Sequence, residues 1–203
     1  MLQRTKGRIL LALLVITGMA GTVKNSTLSQ KERKFCVNNL KETRNELVRS
    51  VKELSPAQLD FRPAPGKWNI RECLYHIAMA ENSFNDMLQT AMKQPAKPEK
   101  RLAIKISDAE LMQTASVCTQ TADALQHAKA KWESTAEAMA SFRSARTEHL
   151  RYVRNTTEDL RNHVTQLHEE AVDCYQLILF MTAHSNYHLQ QIKEIMADEK
   201  FPQ

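Results

Sequence analysis

The sequence predicts an all-α protein, a four-helix bundle joined by long loops, and three observations lead there. Of 203 residues only four are glycine, Gly7, Gly18, Gly21 and Gly66, so a single glycine is left beyond residue 21. That scarcity argues against hairpin-rich β folds and against glycine-dependent nucleotide loops. Ala, Leu, Glu, Lys, Gln, Arg and Met, the strongest helix formers, dominate instead. Finally, Ser or Asn followed three residues later by Glu recurs at Ser29, Asn69, Ser107 and Ser134. This is the pairing that closes a helix N-terminus.

The first helix is expected from Ser29, with Phe35, Cys36, Leu40, Leu47, Val51 and Leu54 at helical spacing, and Ser55-Pro56 stops it. The stretch S-P-A-Q-L-D-F-R-P-A-P-G-K, residues 55 to 67, holds three prolines and reads as an ordered loop anchored by Leu59, Phe61 and Trp68. A second helix starts at Asn69 and carries Ile70, Cys73, Leu74, Ile77, Phe84 and Leu88. It ends before Pro95, where the crossover Q-P-A-K-P-E-K begins. A third helical region opens at Ser107 and breaks around Gln126 to Lys131. It restarts at Ser134, carrying Met139, Phe142, Ala145, Leu150 and Val153 to about Asn155. A short helical turn over Thr157 to His163 and a last helix from about Glu169 to Ala197 complete the reading. Four long helical regions with long connections make a bundle, and residues 28–200 suffice for one domain with its own core.

The N-terminus is set apart. Arg4, Lys6 and Arg8 precede the apolar run Ile9 to Ile16, and small residues follow through Gly18-Met-Ala20. That layout is a secretory signal peptide over residues 1–20, with a flexible stretch over 21–27 and an exported, periplasmic or secreted product. The run is shorter than the roughly 20 residues of a spanning helix, so no stable span is expected after processing; an uncleaved N-terminal membrane anchor is the alternative. Without residues 1–20 the chain keeps 25 Lys and Arg against 23 Asp and Glu, and the net charge falls from +5 to +2. So near-neutral a domain carries no electrostatic footprint for nucleic acid, and that partner class is rejected. Four cysteines, Cys36, Cys73, Cys118 and Cys174, permit two disulfides in an exported protein. Their apolar helical neighbours favour reduced, buried thiols.

Near the C-terminus stands M-T-A-H-S-N-Y-H-L-Q-Q-I, with His184 and His188 four residues apart. On a helix the pair falls on the stripe of Cys174, Leu177, Ile178, Met181, Ile192 and Ile195, facing the bundle interior. Two readings stand: core histidines satisfied by hydrogen bonds, or ligands of a shared metal ion. His76, at the edge of the second helix's apolar stripe, is a candidate third ligand. His127, His149, His163 and His168 stand among polar residues and read as surface histidines. The zinc-protease pattern H-E-x-x-H is not met, because Ser185 follows the first histidine.

The stretch W-N-I-R-E-C-L-Y-H from Trp68 to His76 resembles the signature of the DinB-like four-helix-bundle family, as do the loop before it and the closing H-x3-H-x2-Q-I element. The likeness extends over residues 28 to 200 and is closest to exported members from Bacteroidetes-type bacteria. It implies an up-down-down-up bundle with a divalent ion, Zn, Ni or Mn, held by His76, His184 and His188. One departure is Tyr187, where an arginine often stands in the family. The resemblance implies a metal-dependent hydrolase acting on a small molecule, or a thiol-dependent transferase as in other branches. Three imidazoles leave a coordination position for water, as catalytic sites do. A non-catalytic metal- or ligand-binding bundle is the competing reading, and a homodimer is plausible for such bundles.

The remaining candidates are fewer. Glu72, one turn before His76, is a candidate to orient its imidazole or move a proton, against the simpler role of capping-box partner to Asn69. Cys73 reads as core packing ahead of a fourth ligand. Trp68 reads as the anchor pinning the loop over one end of the site.

Overall fold

A computed structural model describes residues 27–114 and 131–203. The expected signal segment, Cys118, His127 and the helix break expected from Gln126 lie outside the described residues. The local start signals are realised where the sequence places them. Ser29 opens α1 (Gln30–Val51) and Asn69 opens α3 (Ile70–Met92), each by a closed capping box with Glu32 and Glu72. Ser107 and Glu110 open α4 (Asp108–Gln113) in the same way. Ser134 caps α5 (Thr135–Asn155) through the Glu137 amide, but the Glu137 carboxylate turns back to the Glu133 N–H, so this box stays open.

Three stretches differ from the reading of the sequence. Within the expected loop 55–67, Ser55 and Gln58 form a further capping box, and Pro56 at the first helical position starts α2 (Pro56–Asp60). Residues 164–173 hold no helix. They form a hairpin, β1 (Val164–Leu167) against β2 (Glu170–Asp173), antiparallel with Val164 opposite Asp173 and Leu167 opposite Glu170. No glycine turns it; His168 takes the left-handed conformation at φ 54°, a region where histidine is tolerated better than most side chains. The last helix, α6 (Cys174–Met196), therefore starts later than expected. Asp173 and Gln176 cap it reciprocally, which satisfies its first amides and ends the helix there. The expected helical turn over 157–163 is a non-helical turn that brings Arg161 inward.

Four long helices make the bundle. Each of α1 and α3 packs on both α5 and α6, so α1 stands diagonally opposite α3, and α5 opposite α6. The first half of α6 is buried on every side, which makes it the central element. Around it lie two apolar clusters. One gathers Cys36, Leu40, Leu88, Leu150 and Leu177; the other gathers Leu47, Trp68, Ile77, Phe142 and Ile192. Between them in the chain order of every long helix stand polar residues: Thr43, Glu81, Arg146 and His149, and His184 with Ser185. A polar layer thus crosses the middle of the bundle.

In that layer Arg146, fully buried, donates to both oxygens of Glu81 at 2.8 and 2.6 Å and to the hydroxyls of Thr43 and Ser185 at 2.8 Å each. His149 is buried rather than on the surface, its ring bonded to Glu81 Oε1 at 2.8 Å and Asn85 at 3.0 Å. The stripe of α5 runs through Arg146 where the sequence pattern favoured Ala145, because a buried carboxylate awaits the guanidinium there. His163 is half-buried too, wedged between the carbonyls of Asp159 and Gln94. Cys36, Cys73 and Cys174 are free and buried, as the sequence favoured.

Candidate metal centre

Three histidines meet next to the polar layer. His76 comes from the second turn of α3, and His184 and His188 from successive turns of α6, the helix packed on it. One ring nitrogen from each lies within 4.8 Å of the others. Nε2 of His76 and Nε2 of His184 are 3.2 Å apart, close to the separation of about 3.3 Å between two imidazole nitrogens on one tetrahedral zinc ion. All three side chains are buried, His188 completely.

Aromatic side chains wall the cluster. The indole of Trp68 stacks on His188 at 6.0 Å between centroids and meets His76 edge-on at 5.0 Å. Phe84 lies against His184 at 5.4 Å, and Tyr187 against His188 at 5.1 Å. The capping box at Asn69 orients α3 so that Trp68, directly before the cap, folds over the rings rather than into solvent.

This setting holds the rings neutral. Burial, and then the neighbouring His188, pushes His76 down to about 3; burial pushes His188 down to about 4 against the opposing bond from Gln191. Burial also carries His184 well below its ordinary value, helped by the other two rings and by the Arg146 charge. Neutral imidazole is the form that binds metal.

Hydrogen bonds choose the nitrogen that is offered. Nδ1 of His188 is 2.6 Å from Gln191 Oε1, an oxygen that can only accept, so Nδ1 carries the proton. Gln191 is held in turn by the Tyr187 hydroxyl, to which its amide donates at 3.1 Å. Nε2 of His188 therefore presents a lone pair, buried and without a hydrogen-bond partner. Three rings that could satisfy one another would leave no such atom. The donor set thus fits a divalent cation better than a hydrogen-bonded trio.

The other sequence candidates are placed elsewhere. The Glu72 carboxylate accepts from the Asn69 N–H at 3.1 Å and from Arg62 at 2.9 Å. Nδ1 of His76 has no hydrogen-bond partner, and its Nε2 faces His184. Burial pushes the Cys73 thiol up to about 12, which keeps it protonated and in the core. A cavity of about 320 Å³ is lined by Trp68 and Gln191, which touch the cluster, and by Cys73, Glu194 and Ile195 among others, but by none of the three histidines. The sequence reading missed Gln191 as a partner of His188 and the Glu81–Arg146 pair beneath Ser185. Charged residues at apolar-stripe positions 81 and 146 were the signal for the latter.

Fold and site together define a class: a helical bundle with a buried cluster of three neutral histidines. The sequence profile of the DinB superfamily matches residues 39–192, and the chain belongs to that superfamily. Among solved structures, YfiT from Bacillus subtilis superposes with a TM-score of 0.58 at 17% identity, over 84% of this chain and 89% of that one. It is described as a probable metal-dependent hydrolase with an unusual four-helix bundle topology. Likeness at that identity establishes the shared fold. No curated protein matches the chain in sequence.

Proposed function

We propose that His76, His184 and His188 hold one divalent metal ion, Zn, Ni or Mn, and that the protein is a metal-dependent hydrolase of a small molecule. The observation that carries the reading is the unpartnered Nε2 lone pair of His188 inside a cluster of neutral rings. Membership of the DinB superfamily and the description given to YfiT support it. Bound there, such an ion supplies Lewis acidity, polarising a carbonyl or phosphoryl oxygen and acidifying water. The chain's own residues do the rest. Gln191 holds the His188 proton on Nδ1, Trp68 and Phe84 keep bulk water from the rings, and the Arg146 charge helps keep His184 unprotonated.

Near-complete burial of the three rings favours a second reading, a bundle that holds metal without turnover. The basic-apolar stretch from Arg4 to Ile16 supports export, and a homodimer is part of the same proposal. Elemental analysis of the purified protein beside His184→Ala tests the site. Near-stoichiometric metal in the parent and its loss in the variant support the proposal. A protein that stays empty when offered Zn²⁺, Ni²⁺ and Mn²⁺ overturns it. Slow metal release to a chromophoric chelator, with no hydrolysis across an ester, amide and phosphoester panel, decides for the non-catalytic reading.

A further inference from the structure

The crossover between α3 and α4 is unlike the rest of the surface. From Lys93 to Lys105 it carries five cations, Lys93, Lys97, Lys100, Arg101 and Lys105, and one carboxylate, Glu99. Every residue from Lys93 to Ala103 is exposed. At its crest, in the 3-10 helix Pro98–Ala103, Leu102 is 81% exposed, the most exposed large apolar side chain among the described residues. Cations at 100, 101 and 105 flank it on both sides.

This crest is built to hold its shape. The Lys97 N–H donates to the Asn162 carbonyl at 2.8 Å, and His163 reaches the Gln94 carbonyl at 2.9 Å. Behind it Gln176 donates to the Ile106 carbonyl at 2.9 Å. At its foot three carboxylates, Glu32, Asp108 and Asp173, converge on the single guanidinium of Arg161, and the two negative charges left over are outnumbered by the crest's five cations against one carboxylate. A rigid crest loses little freedom when it docks.

Cations attract an anionic bilayer, and an apolar tip between them enters the headgroup and acyl boundary. No described helix is long and apolar enough to cross a membrane, so contact at this end is peripheral.

We propose that the crest from Lys93 to Lys105 is a docking surface for anionic phospholipid, with Leu102 as the inserting side chain. Exposed Leu102 favours a bilayer over an acidic polymer, which offers no apolar phase. The test is Leu102→Trp in the full chain, mixed with vesicles of phosphatidylglycerol and phosphatidylcholine brominated on the acyl chains. After subtraction of the parent's Trp68 and Trp132 signal, the added indole is expected to shift to the blue and be quenched by bromine. Pure phosphatidylcholine leaves it unchanged, and Lys100→Ala or Arg101→Ala each raises the half-effect lipid concentration roughly five-fold. An indole that stays water-like on vesicles carrying the protein overturns the proposal, since the N-terminal segment alone then does the attaching. So does a response to polyuridylate or polyglutamate with none to vesicles.

Discussion

Glu81 and Arg146 meet at two points in the centre of the bundle, the guanidinium donating to each carboxylate oxygen at 2.8 and 2.6 Å with neither side chain reaching solvent. Burial alone would raise Glu81; Arg146 and His149 outweigh it and hold the carboxyl below its ordinary range. The pair ties α3 to α5, and through Thr43 and Ser185 to α1 and α6. All four long helices converge on one guanidinium.

Removing one partner leaves the other charge buried alone. Arg146→Met and Glu81→Leu are each expected to cost about 3–5 kcal/mol. The double variant Glu81→Leu with Arg146→Met should recover most of the loss. Urea unfolding of the four proteins in a double-mutant cycle checks this, and fully additive losses would contradict a mutual pair.

Acid acts through the histidine cluster. Because burial depresses His76 to about 3 and His188 to about 4, the unfolded chain binds more protons than the native one below the ordinary value near 6.5. Stability of the metal-free protein is therefore whole above about pH 7. It falls through the window from 6.5 down to about 4 and 3, by at most about 1.4 kcal/mol per pH unit for each ring. Thermal unfolding at stepped pH, compared with a His76→Phe variant of shallower slope, tests the assignment.

Gln191 decides which nitrogen of His188 carries the proton. Gln191→Leu frees Nδ1 without emptying a charged pocket, so the fold is expected to stand. Metal affinity, read by competition with a chromophoric chelator, is expected to drop about 10- to 100-fold. Gln191→Glu keeps an acceptor and should retain most of it. Equal losses in both variants would assign Gln191 to packing.

Arg161 gathers the starts of three helices. It bonds Glu32 of α1, Asp108 of α4 and Asp173, the cap of α6, and lies 4.1 Å from the Tyr175 ring centroid. Burial raises Asp173, and Arg161 opposes that rise. Arg161→Gln is expected to cost about 2–3 kcal/mol and to loosen the N-terminal ends together. Hydrogen exchange at the first turns of α1 and α6 reads the effect, and unchanged protection there would remove Arg161 from this role.

Much of this architecture is local chemistry and was open to reading from the chain. A capping box spans three residues, so Ser29, Asn69 and Ser107 announce their helices without knowledge of the partners. His184 and His188, four apart on a helix, share a face whatever surrounds them. The hairpin at 164–173 escaped because strands of four residues leave almost no periodicity, and its turn uses His168 where glycine or asparagine is the usual sign.

The sequence by itself determined the helical class, the helix starts at Ser29, Asn69, Ser107 and Ser134, and the inward-facing histidine pair, since each rests on contacts within one or two turns. Only tertiary structure decided that His76 meets that pair and that Glu81 answers Arg146. Those partners lie 108 and 65 residues apart for His76–His184 and Glu81–Arg146. A buried polar group must find a partner, but the chain alone does not name it. The packing of α3 against α5 and α6 does.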